Sequence, residues 1–131
     1  MSLLSRDQIL GAEDRTYEVV TCPEWGGDVR LRSLTGSERD EWENSLVRQV
    51  GDKRRLNARN MRAKLIALSA VDEHGAPLFS SADVIKLGSK NAAPLDRLFE
   101  ACQRLSGLSD KDVEELEEGF GETQGAPSAS A

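Results

Sequence analysis

The side chains able to act as acids, bases, nucleophiles or ligands are few, and their spacing suits none of those tasks. His74 is the single histidine and lies in the hydrophilic run Asp72-Glu73-His74-Gly75, where a solvated turn residue is expected. That run lacks the spaced carboxylates and closing Glu of a calcium loop. Glu114-Glu115-Leu116-Glu117-Glu118 is rich in carboxylates, but helical spacing fans them around a solvent-facing surface and offers no sheltered acid–base pair. Gly26-Gly27 is not followed by the Lys-Ser/Thr of a nucleotide loop. Cys22 and Cys102 have no His or Cys at ligand spacing, so buried free thiols are expected. The sequence therefore offers no catalytic residue, no metal ligand set and no cofactor site.

One cluster has clear chemical capacity. Between Val47 and Lys64, the cations Arg48, Lys53, Arg54, Arg55, Arg59, Arg62 and Lys64 face a single Asp52, a local charge of +6. Clustered cations suit phosphate. Against nucleic acid stand a net charge of −6 for the whole chain and the lack of any aromatic residue between Trp42 and Phe79 for base stacking. A solvated helix face, or one that meets an acidic protein surface, is the expectation. Such a surface exists within the chain: Asp110, Asp112, Glu114, Glu115, Glu117, Glu118 and Glu122 outweigh Lys111, so residues from 109 onward carry −6. The two tryptophans complete the candidates. Trp42 stands at helical spacing with Leu46 and is expected in the core, while Trp25 fits either a packing anchor or an exposed partner contact.

The elements that must position these groups are legible from pattern and punctuation. Tyr17, Val19 and Thr21 share one face of a strand and Val29 and Leu31 line a face of the next, around the turn cluster Cys22-Pro23-Glu24-Trp25-Gly26-Gly27. Helix starts are marked by capping boxes at Ser5/Gln8, Thr35/Glu38, Ser80/Asp83 and Ser109/Asp112. Trp42, Leu46 and Val50 then recur every four residues, which predicts a helix that runs to Gly51-Asp52. A second helix is expected from about Asn57 to Val71, with Ala58, Met61, Leu65 and Leu68 inward. Pro94 opens a third with Leu95, Leu98, Phe99, Cys102 and Leu105 on its apolar face, and Val113, Leu116 and Phe120 stripe a last one. The expected fold is α+β and mostly helical, an N-terminal β-hairpin followed by a bundle of four to five short helices. Residues 1–120 form one domain, and 121–131 a Gly/Ser/Ala-rich tail expected to be disordered. No apolar run approaches the roughly 18–20 residues that cross a bilayer. The start, Met1 to Asp7, lacks a secretion signal, so a cytosolic location is expected.

The order of motifs resembles a known family. Pro23-Glu24-Trp25-Gly26-Gly27-Asp28-Val29-Arg30-Leu31-Arg32, followed by Leu34-Thr35-Gly36-Ser37-Glu38-Arg39-Asp40, is similar to the tail assembly chaperones of long-tailed bacteriophages. Val71-Asp72-Glu73-His74-Gly75-Ala76-Pro77-Leu78-Phe79 and the stretch Leu95 to Ser109 extend the likeness over about Leu4 to Leu116. The resemblance implies a protein that binds the tape measure protein in the host cytoplasm and keeps it soluble. It also implies help in gathering tail tube subunits, and absence from the finished virion. Many such chaperones are made in two lengths by a frameshift near the C-terminus. A structural head–tail joining or tail-completion protein is the alternative.

A holdase of this kind needs apolar surface and no reactive group. Short helices with narrow stripes leave such surface incompletely covered, so a homo-oligomer is expected. Trp25, Arg30, Arg32, Trp42, Arg54, Arg55, Arg59 and Arg62 are the expected partner contacts. Glu114, Glu115, Glu117 and Glu118 are expected to meet the basic stretch of the same or an adjacent subunit.

Overall fold

A computed structural model describes residues 2–56, 59–109 and 111–114, with backbone only for 48–50 and 54–56. A capped helical turn, α1 (Arg6–Leu10), precedes the hairpin of β1 (Tyr17–Cys22) and β2 (Gly27–Arg32). Tyr17 lies opposite Arg32 and Cys22 opposite Gly27, with the strands antiparallel. Between them Pro23–Trp25 makes a short 3₁₀ turn that closes on Gly26 at φ +77, a left-handed angle that glycine adopts without penalty. Then follow α2 (Gly36–Ser45), a second hairpin of β3 (Val47–Val50) and β4 (Lys53–Leu56), α3 (Met61–Ser69), β5 (Ala70–Val71), α4 (Val84–Gly88) and α5 (Ala92–Leu105). The short β5 pairs with β2, giving a sheet of order β1-β2-β5. The architecture is α+β and mostly helical.

One face of the sheet packs on the helices. Val20, Cys22, Leu31 and Ala70 point inward and are buried, while Tyr17, Val19 and Thr21 form the outer, exposed face. Beneath the sheet, α5 presents Leu95, Leu98, Phe99 and Cys102 at positions i, i+3, i+4 and i+7, all buried. Pro94 is tolerated because it stands in the first turn, before the helical amide ladder begins. The outward side of α5 ties down three other elements. Arg97 grips Glu24 through two bonds of 2.8 and 2.9 Å, Arg104 reaches Glu18 at 2.7 Å, and Asp96 meets Arg62 at 2.7 Å. The hydrogen bonds from Arg97 hold the Glu24 carboxyl down at about 2.

All four capping boxes form. Ser5, Thr35 and Ser109 accept from the third helical amide at 3.0–3.1 Å, and Ser80 donates its amide to Asp83 at 2.9 Å. In three of them the residues flanking the cap, Leu4 with Ile9, Phe79 with Val84 and Leu108 with Val113, occupy the positions of a hydrophobic staple.

Two expectations are corrected. The helix that starts at Thr35 stops at Ser45, and Val47 to Leu56 is a β-hairpin, not a continuation toward Gly51. Spacing at 42, 46 and 50 misleads here because Trp42 and Leu46 are core anchors on either side of the break, both fully buried. The β-branched Val47 and Val50 favour a strand, and Gly51 at φ +64 opens a two-residue hairpin loop. The following helix spans Met61–Ser69, shorter than Asn57 to Val71, and its last two expected residues are β5. Asn57 and Ala58 lie outside the described residues, as do Leu116, Phe120 and the expected tail.

Candidate protein-binding site

A cleft of about 520 Å³ opens between the C-terminal half of α2, the outer side of α3 and the segment that leads into α4. Its floor is apolar: Leu68, Phe79, Val84 and Ile85, with the buried Trp42 and Ala67 behind them. Glu41, Arg59 and Lys64 stand at its polar wall. The Ser80/Asp83 box builds one side, since it fixes the chain's entry into α4 and sets Phe79 and Val84 together against the core. Ile85, one residue on, turns to solvent and is 75% exposed. The opposite side is held by Trp42, whose indole N–H donates to the Met61 carbonyl at 3.2 Å, and by Lys64, whose ammonium donates to the Ser45 carbonyl at 2.8 Å. Partial burial lowers the pKa of that lysine. Such a site can hold apolar side chains and favours a slightly acidic polypeptide; it has no arrangement for bond making.

A second apolar surface is the outer face of the sheet. Tyr17 and Val19 on β1 and Leu78 beside β5 are all exposed. The Arg30 guanidinium lies 4.5 Å above the Tyr17 ring, a cation–π contact that covers part of it.

The expected partner residues scatter over this frame. Trp42 is completely buried, so it is a core anchor and presents no surface to a partner. Trp25 is 38% exposed at the tip of the hairpin, away from the cleft's lining. Arg30 donates to the Glu73 carbonyl at 3.3 Å, and Arg32 meets Glu38 at 3.4 Å. Arg62 pairs with Asp96 and lies 5.4 Å from the Phe99 ring centre, on the α5 side of α3, whereas Lys64 faces α2. The basic run is therefore not one helix face: part of it is strand and its helical part divides between two sides. Arg59 lines the cleft. The side chains of Arg54 and Arg55 lie outside the described residues, as do Glu115, Glu117 and Glu118; Glu114 is exposed. Sequence reading missed Leu68, Val84 and Ile85 as a surface. The available signal was the stapled capping box at Ser80, with an isoleucine left over beside it.

His74 sits in an exposed Asx turn in which Asp72 accepts the amides of His74 and Ala76 at 2.8 and 3.0 Å. Those amides lower the Asp72 pKa. Both cysteines are buried and free, and burial pushes the Cys102 thiol up to about 12. Among the described residues no group of three acidic, His or Cys side chains is placed to hold a metal ion, and no helix is long and apolar enough to cross a membrane.

No protein-family model matches the chain, and no curated protein matches it in sequence. Its fold, however, is shared with a solved bacteriophage assembly factor. That structure is the tail assembly chaperone of bacteriophage HK97, aligned with a TM-score of 0.53 at 21% identity over 76% of this chain and 94% of that one. At this identity the likeness is one of fold.

Proposed function

We propose that this chain is a bacteriophage tail assembly chaperone. It binds the tape measure protein in the host cytoplasm, keeps it soluble, helps recruit tail tube subunits, and is absent from the mature virion. The observation that carries this reading is an apolar cleft left open on a fold shared with such a chaperone. Physical chemistry supports it further. A long helical client exposes apolar stripes, and seating one or two of its large side chains among Leu68, Phe79 and Ile85 contributes about 1.5–3 kcal/mol each before ordering costs are subtracted. Weak, repeated seating of that kind suits a holdase, which must let its client go. The acidic C-terminal segment, with Glu114, Glu115, Glu117 and Glu118, would orient self-association through surface ion pairs worth about 0–1 kcal/mol each.

Co-production with the tape measure polypeptide of the same phage tests the role. The parent chain is expected to move that polypeptide into the soluble fraction. Ile85→Asp is expected to abolish the effect while the chain stays folded, because exposed substitutions shift stability by only about ±0.5 kcal/mol. A client that precipitates equally with and without the parent chain sinks the proposal. Mass spectrometry of purified particles separates a chaperone, which is missing, from a head–tail joining protein, which is stoichiometric.

A further inference from the structure

The outer edge of the sheet is a hydrogen-bond ladder with one side unfilled. Where β1 and β2 begin to pair, the Ser33 amide donates to the Thr16 carbonyl at 2.8 Å, and the register then advances residue for residue. The bonded pairs are therefore Glu18 with Leu31, Val20 with Val29 and Cys22 with Gly27. The main-chain N–H and C=O groups of Tyr17, Val19 and Thr21 point the other way, off the sheet. β1 is terminal in the strand order, and no group among the described residues bonds to them. Natural edge strands are blunted by proline, lysine or a bulge. β1 has none of these over its six residues, and its one charge, Glu18, is drawn aside to Arg104 at 2.7 Å. The same three residues, Tyr17, Val19 and Thr21, carry the exposed side chains of the strand.

We propose that β1 receives an extended, basic segment of a different polypeptide as an added strand. That segment alternates β-branched or aromatic residues with lysine or arginine. Main-chain bonds to Tyr17, Val19 and Thr21 supply affinity, and alternate side chains supply selectivity. The apolar ones lie beside Tyr17 and Val19 on the outer face, the pairing that sheets favour. Charge identifies the rest. Every arginine beside the strand is already engaged: Arg15 with Glu38, Arg97 with Glu24, Arg104 with Glu18, and Arg30 over the Tyr17 ring. Glu13 and Asp14 before the strand, Asp28 opposite Thr21, and Glu100 between Arg97 and Arg104 on α5 are exposed. None of these four has an ion-pair partner among the described residues. A second copy's β1 would bring the same unpaired carboxylates against them, so complementarity selects a cationic guest over self-pairing. The edge shares no residue with the cleft, and the inference stands apart from the proposed client.

Residue-resolved amide exchange of the full chain tests the edge, with a short peptide alternating lysine and valine as the probe. In the free chain the Tyr17, Val19 and Thr21 amides are expected to exchange fast, and those of Glu18, Val20 and Cys22 slowly. Peptide at about ten times its Kd is expected to slow the first set about tenfold and to leave the second unchanged. The same peptide with its valine amides N-methylated, or with glutamate in place of lysine, is expected to bind at least about tenfold more weakly. Val19→Pro removes one outward N–H at a position where edge strands tolerate proline, and is expected to abolish the slowing. Val19→Lys keeps every main-chain donor, leaves the thermal midpoint in place and is expected to weaken binding as well. Three results overturn the proposal. Slow exchange at Tyr17, Val19 and Thr21 that grows as the chain alone is concentrated gives the edge to a second copy. Slow exchange at every dilution gives it to the chain itself. Equal binding of the N-methylated peptide removes strand addition altogether. No client enters these measurements, so they are distinct from failure of the solubility assay.

Discussion

Glu38 joins three elements through one carboxylate, and its replacement by Gln gives a quantitative test of how the body is held. Its oxygens accept the Thr35 amide at 2.9 Å and meet Arg15 at 3.0 Å and Arg32 at 3.4 Å. The three charged side chains are 17–28% exposed, between the surface and buried limits. Gln keeps the oxygen that caps α2 and loses the charge that holds both guanidinium groups. Each charge-assisted contact, discounted for the solvent that reaches it, is worth about 0.5–1 kcal/mol, so Glu38→Gln is expected to cost about 1–2 kcal/mol. For a domain of this size that is a fall of about 4–8 °C in the thermal midpoint at pH 7. The pH dependence follows from the sign of the shift. Burial resists ionisation of Glu38, but the Thr35 amide and the two arginines outweigh it, and the carboxyl titrates below its usual value. Its contribution is complete above the unfolded value of about 4.3 and is lost as pH falls through the lower folded value. Thermal melts of parent and variant from pH 7 down to pH 4 and below should therefore converge. A variant that melts with the parent at pH 7, or a gap that stays constant into acid, refutes this account.

Two further outcomes are expected. A methyl group added at Gly88 would overlap the Asn60 side-chain oxygen, and Asn60 itself is held at φ +60. Gly88→Ala should thus destabilise by about 1–2 kcal/mol in urea, and adding Asn60→Gly should recover most of it; strict additivity of the two would contradict the overlap. Cys22 and Cys102 should react with a thiol-specific disulfide reagent only slowly, at a rate set by unfolding; fast stoichiometric labelling would show that the buried thiols are accessible.

What could be read from the sequence was what is determined locally. The caps at Ser5, Thr35, Ser80 and Ser109 depend on two residues three apart, and α5 on a seven-residue apolar pattern; each is present as read. The β1–β2 hairpin is equally local. The second hairpin was hidden because Trp42, Leu46 and Val50 keep helical spacing across a change of structure. Ala70 and Val71 were read as helix because their strand pairing with Leu31 and Arg30 is a contact about forty residues distant, which no local pattern records. The site was less legible still. Long basic and aromatic side chains attract attention in a sequence, yet Trp42 is core and Arg32 and Arg62 are engaged within the chain, while the open surface is made by Leu68, Phe79 and Ile85. Whether an isoleucine lies in or out is decided by its neighbours in space.

The dependence of the sheet on α5 has a bearing on how the chain is born. The inner face of β1 and β2 is complete once Arg32 has been synthesised, but the helix that shelters it ends at Leu105. At elongation rates of at most about 20 residues per second, the lid follows its seat by roughly 4 s or more. Throughout that interval Val20, Cys22 and Leu31 lack their cover, and the nascent polypeptide stands in the same need of shelter as the client it is proposed to guard.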